Sequence, residues 1–200
     1  MKAIRITSDT LQAINTSGMQ ALTASQLKNF TTTRINDLTT TQIVSLTNSQ
    51  LGVLNSTQVS NISTTLFNAL TSTQVQSLSA TKIQSLSSSY LNSLNSTSIQ
   101  ELSSSQVQSL TSTQLNGLAA ATLGYLETRD VAAMTGSQIS AMTTSKLNDF
   151  TTAQIRALST SAMQSLTSDQ LNNMGTDNLK ALYTSQIAAL TSTHTRHSSW

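Results

Sequence analysis

The stretch LTSTQVQSL, residues Leu70 to Leu78, contains the pattern that decides the fold. It places a leucine, three hydroxyl residues, a glutamine and a branched apolar residue in order, and reaches the next leucine after eight residues. Every eighth residue from Ile6 to Leu190 is large and apolar, and we call this set the leucine row. Every eighth residue from Leu11 to Ile187 is also apolar, and this set is the second apolar row. Because no insertion breaks this register, the sequence predicts one repeat domain over residues 1–193.

The other positions of the octad are also biased. The residue after each member of the leucine row is Ser, Thr or Asn in 19 of 23 octads, and the residue before each member of the second apolar row is Gln in 11 of 23. Both biases recur at fixed places, so they describe a structural unit rather than a polar tract of random order.

The composition excludes several classes of protein. Charged residues make up 9% of the chain, the formal net charge is +2, and proline and cysteine are absent. Disordered segments combine low hydrophobicity with high net charge and abundant proline. This chain has a low net charge and no proline, so its composition does not indicate a disordered protein. The lack of cysteine excludes a disulfide scaffold. The sequence contains no cluster of Lys and Arg that would indicate nucleic-acid binding. It also contains no run of consecutive apolar residues close to the roughly 18 that a membrane span needs.

A single long helix or a flat strand does not fit the octad. Eight residues advance an α-helix by about 800°, so an apolar stripe of this period would circle the helix instead of staying on one face. The two apolar rows lie five and three residues apart, and odd spacings put neighbouring side chains on opposite faces of a strand. A β-solenoid with a turn in every octad is the alternative that remains open, although such turns favour glycine and the chain has six.

A short capped helix in each octad fits every biased position. The hydroxyl of Thr71 can accept a bond from a backbone N–H of the first turn. Gln74, three residues later, can reach back to the N–H of Thr71 and complete a capping box. Leu70 before the cap and Val75 after it occupy the places of a hydrophobic staple. Each octad therefore predicts about one and a half turns of helix followed by a corner.

Such short helices require neighbours. Burying two large apolar side chains contributes about 3–6 kcal/mol, whereas ordering eight residues costs about 8–16 kcal/mol of backbone entropy. The octads must therefore stack, and the sequence predicts an all-α solenoid of short capped helices, one for each 8-residue repeat. The number of octads in one coil is not determined by the pattern.

No catalytic, cofactor-binding or metal-ligating residue is predicted. The densest charge lies in YLETRDVAAM, where Glu127 takes the cap position and Asp130 the glutamine position, and both acids suit a helix N-terminus. His194 and His197 are three residues apart in STHTRHSSW. Because Thr195 occupies a position of the second apolar row, the pattern has ended there, and we expect residues 194–200 to form a frayed tail.

The octad resembles a known type of repeat tract. The unit L-[ST]-[ST]-[ST]-Q-[VIL]-x-[AS], seen in LTSTQVQS, LTTTQIVS and FTTAQIRA, is similar to the octapeptide tracts of large bacterial surface or type I-secreted, adhesin-like proteins. The resemblance covers nearly the whole chain. It implies extracellular display as a stalk or fibre, and it implies no functional residues.

These observations lead to two hypotheses about function. The first is a non-enzymatic structural repeat protein that forms a rod, fibre or tube by stacking and self-association, end to end or side by side, on the bacterial surface. The alternative is a binding or adhesion scaffold that recognises a glycan or protein partner. The start of the chain has no apolar run typical of a secretory signal, so we expect a location outside the cell without a classical cleaved signal peptide.

Overall fold

The protein is described by a computed structural model over residues 8–194, with side chains described for residues 9–190. These residues form short α-helices and contain no strand. The predicted all-α class is confirmed, and the β-solenoid alternative is wrong. The chain divides into two compact units, Met1–Leu102 and Ser103–Trp200, and each is considered by itself. The single solenoid over residues 1–193 therefore stays a prediction.

One helix begins in every octad, and nearly all have five or six residues. The helices of the first unit are α1 Ser8–Gln12, α2 Thr16–Gln20, α3 Ala24–Lys28, α4 Thr32–Asn36, α5 Thr40–Ser45, α6 Asn48–Val53, α7 Ser56–Ser60, α8 Thr64–Phe67, α9 Ser72–Gln76, α10 Ala80–Gln84, α11 Ser88–Asn92 and α12 Ser96–Gln100. Those of the second unit are α13 Ser104–Ser109, α14 Ser112–Gly117, α15 Ala120–Gly124, α16 Thr128–Ala133, α17 Gly136–Ala141, α18 Thr144–Asn148, α19 Thr152–Ala157, α20 Thr160–Gln164, α21 Ser168–Asn172, α22 Thr176–Ala181 and α23 Thr184–His194.

The helix starts follow the predicted capping chemistry. The backbone N–H of Gln74 donates to the Thr71 hydroxyl at 3.3 Å, and the N–H of Thr71 donates to the Gln74 side-chain oxygen at 2.9 Å. The complete capping box is formed at the starts of α3, α5, α6, α7, α9, α13, α14, α17, α19 and α21. Each box satisfies two backbone donors that a helix start would otherwise leave unpaired.

The corners between helices need no special residue. Leu46 of the leucine row is extended, with φ −64° and ψ 138°, and the following cap Thr47 is extended with φ −71° and ψ 158°. Two such residues in succession turn the chain out of one helix and into the next. None of the described residues has a positive φ. This explains how a chain with six glycines and no proline can change direction in every octad.

Both apolar rows form the core. Members of the second apolar row from Leu11 to Met163 are at most 2% exposed, and members of the leucine row from Leu22 to Met174 are at most 8% exposed. Within each unit, a helix packs against the helix three places further along, as in α2 with α5, α3 with α6, α16 with α19 and α20 with α23. The stacking predicted from the energetics of one octad is thus present inside each unit.

The last helix departs from the pattern. Helix α23 spans 11 residues and continues through Leu190, where each earlier helix of the second unit has already ended. Thr195 replaces the apolar residue that would staple a new helix start, so the restart signal is incomplete. The backbone is helical up to His194, and residues 195–200 lie outside the described residues, so the frayed tail over residues 194–200 stays a prediction.

The cap hydroxyl should carry a measurable part of the stability. We expect Thr151→Ala to lower the free energy of unfolding by about 1 kcal/mol, because it removes the hydroxyl bonded to the N–H of Gln154. Ala119 caps α15 without a side-chain bond, so Ala119→Thr should raise the stability by a similar amount. Urea unfolding followed by circular dichroism measures both changes.

Thr152→Ala is the matched control, because Thr152 is exposed and is the first residue of α19 rather than its cap. Its effect should stay within about 0.5 kcal/mol. Equal losses at residues 151 and 152 would contradict the capping argument.

Candidate functional site

The glutamine position of the octad, three residues after the cap, holds the most distinctive site of the molecule. Gln154 is 2% exposed, and its two polar atoms bond in opposite directions. Its Oε1 accepts the N–H of Thr151 at 3.0 Å within the same octad. Its Nε2 donates to the carbonyl oxygens of Leu123 and Leu126, at 2.9 and 2.8 Å, in the preceding coil. One buried side chain therefore starts a helix and also joins two coils.

The same connection recurs in both units. The amide nitrogen reaches carbonyls 31 and 28 residues earlier, at the end of the helix four places before, in Gln42, Gln50, Gln58, Gln74, Gln138, Gln154, Gln170 and Gln186. An offset of 28 residues is three and a half octads. Together with the packing of helices three places apart, it sets one coil at between three and four octads, the quantity that the octad pattern leaves open.

This geometry explains why the position is glutamine. A capping box accepts Glu or Gln equally, since both offer a side-chain oxygen to the cap N–H. A glutamate has no N–H, whereas the glutamine amide carries both an acceptor and two donors. The last carbonyls of a short helix have no partner inside the helix, and the amide nitrogen supplies one. The sequence reasoning predicted the Oε1 bond and missed the Nε2 bonds.

Other donors replace glutamine in some octads. The Nζ of Lys82 lies 2.6 Å from the Gly52 carbonyl oxygen, and the hydroxyl of Tyr90 donates to the Ile62 oxygen at 2.7 Å. The Nζ of Lys146 donates to the Leu118 oxygen at 2.6 Å and also pairs with Asp149. Burial lowers the pKa of Lys82 and raises the pKa of Tyr90, since each loses solvation of its charged form. Donors other than glutamine can thus occupy this position and reach the earlier coil.

A second connector runs in the opposite direction along the chain. Asn116 follows the second apolar row directly, and its Nδ2 donates to the Ala141 carbonyl at 2.9 Å while its Oδ1 accepts the N–H of Thr143 at 2.8 Å. Asn36 bonds in the same way to Asn61 and Ser63, and Asn148 bonds to Asn173 and Gly175. Asn68 accepts the N–H of Asn95 at 3.1 Å.

The asparagine connector takes over one bond of the glutamine connector, the bond to the cap N–H. The four N–H groups that these asparagines cover belong to cap residues whose octads have Leu66, Ser98, Lys146 or Asn178 at the glutamine position. In these four octads, the cap N–H that lacks a glutamine partner in its own octad is covered from the coil before. In the sequence, each of these asparagines stands 30 residues before the glutamine position of an octad that has a different residue there. This spacing is a sequence signal for the size of the coil.

Glu127 and Asp130, whose charges are predicted to suit a helix N-terminus, differ in exposure, because the side chain of Asp130 is buried. Asp130 is 0% exposed, and its Oδ1 accepts a bond from the Ser104 hydroxyl at 2.8 Å. Its Oδ2 has no hydrogen-bond partner. The Nε of Arg129 lies 3.1 Å from Glu127 and 3.5 Å from Asp130. Glu127 is the cap residue of α16 and makes no side-chain bond to the helix start. The sequence placed these charges correctly in the octad but did not predict the burial of Asp130.

The described part of the chain has three further features that bear on function. Of the two histidines near the C-terminus, His194 ends α23 and His197 lies outside the described residues. None of the helices described here combines the length and the apolar character that crossing a membrane requires. A shallow groove of about 500 Å³ in the first unit is lined by Thr16, Gln20, Thr40, Thr41, Val44 and Ser45.

Comparison with known proteins supports the repeat character. A family model described as the ALTTAQ repeat matches residues 120–160 and 147–176. These residues are fewer than half of the chain, and in this region the chain is similar to that repeat. They include α15 to α21 and the glutamine positions Gln138, Gln154 and Gln170. No curated protein matches the chain. The chain is thus a repeat protein with a regular helical repeat architecture.

Substitution of a connecting glutamine by glutamate separates its two roles. Gln154→Glu keeps the acceptor for the Thr151 N–H but turns a buried donor into a carboxylate facing two carbonyls. We expect a loss of about 3 kcal/mol or more in the free energy of unfolding at pH 7. The loss should shrink at acidic pH, because burial favours the protonated carboxyl. Thermal unfolding of the variant between pH 4 and pH 7 measures both effects.

Gln26→Glu is the matched control. Gln26 forms the same capping box with Thr23, but its side chain is exposed, whereas that of Gln154 is buried. This control should cost less than about 0.5 kcal/mol. If both substitutions are equally mild, the amide nitrogen of Gln154 does not join the coils.

Because a glutamine or an asparagine can cover a cap N–H, a new glutamine should restore the stability that is lost when an asparagine connector is removed. Asn116→Ala removes the bonds to Ala141 and Thr143 and should lower the stability by about 1–3 kcal/mol. In that background, Lys146→Gln should recover most of the loss, because the introduced glutamine can cover the Thr143 N–H from within its own octad. A double-mutant cycle measured by urea unfolding gives the coupling energy. Simple additivity of the two substitutions would contradict the exchange.

Proposed function

We propose that the protein is a non-enzymatic structural repeat protein whose coils extend into a rod, fibre or tube by stacking and self-association. Its place of action in this proposal is the bacterial surface. Its main partner is then a further copy of the same chain, and no catalytic group takes part.

The ladder of glutamine amides is the observation that supports this proposal. Each octad with a connecting glutamine, such as those of Gln138 and Gln170, adds the same bonds to the coil before it, at the constant offsets of 28 and 31 residues. In such an array, stability grows with each repeat through its contacts with its neighbours, and length can change without a new core. The octad resemblance to bacterial surface tracts points in the same direction and supplies the proposed location.

A binding scaffold is the second candidate, and the groove beside Val44 favours it. Its lining combines the hydroxyls of Thr16, Thr40 and Thr41 with the amide of Gln20 and an exposed apolar side chain. Such a mixture of polar and apolar groups suits a glycan or a peptide segment. Binding to an immobilised glycan panel that Thr41→Ala abolishes would favour this candidate.

Negative-stain microscopy of the purified 200-residue protein tests the main proposal. We expect elongated particles whose length increases with protein concentration, because coils of separate copies can continue the same stacking. Antibody labelling of intact against permeabilised cells of the organism that encodes the chain tests the proposed location. Uniform compact monomers at high concentration would contradict self-association, and labelling only after permeabilisation would contradict surface display.

A further inference from the structure

Five asparagines of the first unit begin the sequence N-x-[ST], which is the acceptor motif for N-linked glycosylation. They are Asn15, Asn29, Asn55, Asn61 and Asn95. None of the asparagines from residue 103 to residue 200 has Ser or Thr two positions later. The five motifs fall at two places in the octad, and the fold treats these two places differently.

Asn15, Asn55 and Asn95 are cap residues, and capping uses only one of the two polar atoms of each side chain. In each, the Oδ1 accepts the N–H of the residue three positions later at 2.8 Å. The Nδ2 makes no hydrogen bond within the described part of the chain, and all three residues are exposed. A glycan is attached to this nitrogen, so the attachment leaves the cap oxygen and its bond in place.

The rest of the motif is also accessible at these three caps. The hydroxyl residue two positions after the asparagine is exposed in each case, and it is Ser17, Thr57 or Thr97. The middle residue is a Ser or Thr of the first helical turn, and none of the three is buried. An enzyme can therefore reach all three residues of the motif without opening the core.

Asn29 and Asn61 lie directly before the leucine row, so the middle residue of their motif is a core residue. Phe30 is 5% exposed, and Ile62 is 1% exposed. The Nδ2 of Asn61 also donates to the carbonyl oxygen of Thr57 at 2.9 Å. Reading either motif as a three-residue segment requires local opening of the packed core. The folded protein thus hides these two motifs.

The asparagines that connect coils do not carry the motif. The Nδ2 atoms of Asn116 and Asn148 each donate to a carbonyl of a later coil at 2.9 Å, and a sugar on that nitrogen would interfere with this bond. Two residues after each of them stands a member of the leucine row, Leu118 or Phe150. The octad therefore places the acceptor motif at caps and excludes it from connectors.

We propose that Asn15, Asn55 and Asn95 are N-glycosylation sites of the folded protein, and that the sugar donor is a hexose activated by a nucleoside diphosphate. The Nδ2 forms a bond to the anomeric carbon, while the bond from that carbon to the diphosphate oxygen breaks. One Nδ2 proton passes to a base of the transferase. This inference goes beyond the proposed structural role, and it does not depend on self-association.

Enzymatic glucosylation of the purified protein tests the selection among the five motifs. The folded protein is incubated with uridine-diphosphate glucose and a soluble N-glycosyltransferase that accepts N-x-[ST], and peptide mapping by mass spectrometry locates the sugar. Synthetic peptides of the five segments give the rate of each motif without the fold. We expect the ratio of protein rate to peptide rate to be about tenfold or more higher at the three caps than at Asn29 and Asn61. Equal ratios at all five motifs would overturn the proposal.

Two substitutions test the cap position itself. Thr71→Asn gives a cap followed by Ser72 and Thr73, the same motif as at Asn55, and residue 71 should become a new acceptor. Asn55→Thr keeps a residue that caps in other octads, and it should lose modification at residue 55 alone. Circular dichroism confirms that both variants are folded. If residue 71 stays unmodified while the matching peptide reacts, the cap position is not an acceptor and the proposal is wrong.

The protein isolated from the organism that encodes it shows whether the sites are used. A hexose or a longer glycan on one or more of the three caps supports the proposal. Unmodified asparagine at all three caps, or a sugar only at Asn29 or Asn61, overturns it. Because the cap oxygen keeps its bond, the glucosylated and unmodified proteins should have the same thermal unfolding midpoint. A clear decrease on glucosylation would contradict the separate roles of Oδ1 and Nδ2.

Discussion

The two-directional bonding of a buried glutamine is the interaction on which the fold depends. A helix of five or six residues leaves most of its N–H and C=O groups without a partner inside the helix. The glutamine oxygen covers a donor at the start of its own helix, and the nitrogen covers acceptors at the end of an earlier one. Without such a side chain, helices this short would bury unpaired backbone groups, each at a cost of about 1–3 kcal/mol.

The polar composition follows from the same constraint. Most octads contribute two apolar residues to the core, and an octad such as that of α19 adds a cap and a connector. Hydroxyl residues suit the cap because they bond to the backbone close to their own position, and amides suit the connector because they donate and accept at once. The chain thus has few charges because its hydrogen-bonding sites are mostly filled by neutral groups. Asp130 shows the reverse case, a charged side chain at a buried connector position with one oxygen unpaired.

The sequence predicted the local structure well and the coil poorly. Thr71, Gln74 and the staple residues Leu70 and Val75 indicated where a helix begins, because those interactions lie within eight residues of one another. The size of the coil depends on contacts about 28 residues apart, and an eight-residue period contains no information on that distance. The burial of Asp130 was missed for the same reason, since it depends on surrounding repeats. The pairing of an asparagine with a later octad that lacks glutamine, such as Asn36 with the octad of Leu66, is a long-range signal that the sequence does contain.

Nearly identical repeats carry a risk of slippage, and the asparagine connectors counteract it. If a coil shifted by one octad against the next, most leucines, caps and glutamines would meet equivalent partners and the error would cost little. Asn116 and Asn148, however, each match an octad that lacks glutamine. After a shift of one octad towards the C-terminus, each would face the cap of Gln154 or Gln186, whose N–H already has a partner. A few asparagine amides at irregular intervals thus favour one alignment of the coils in a sequence of nearly identical repeats.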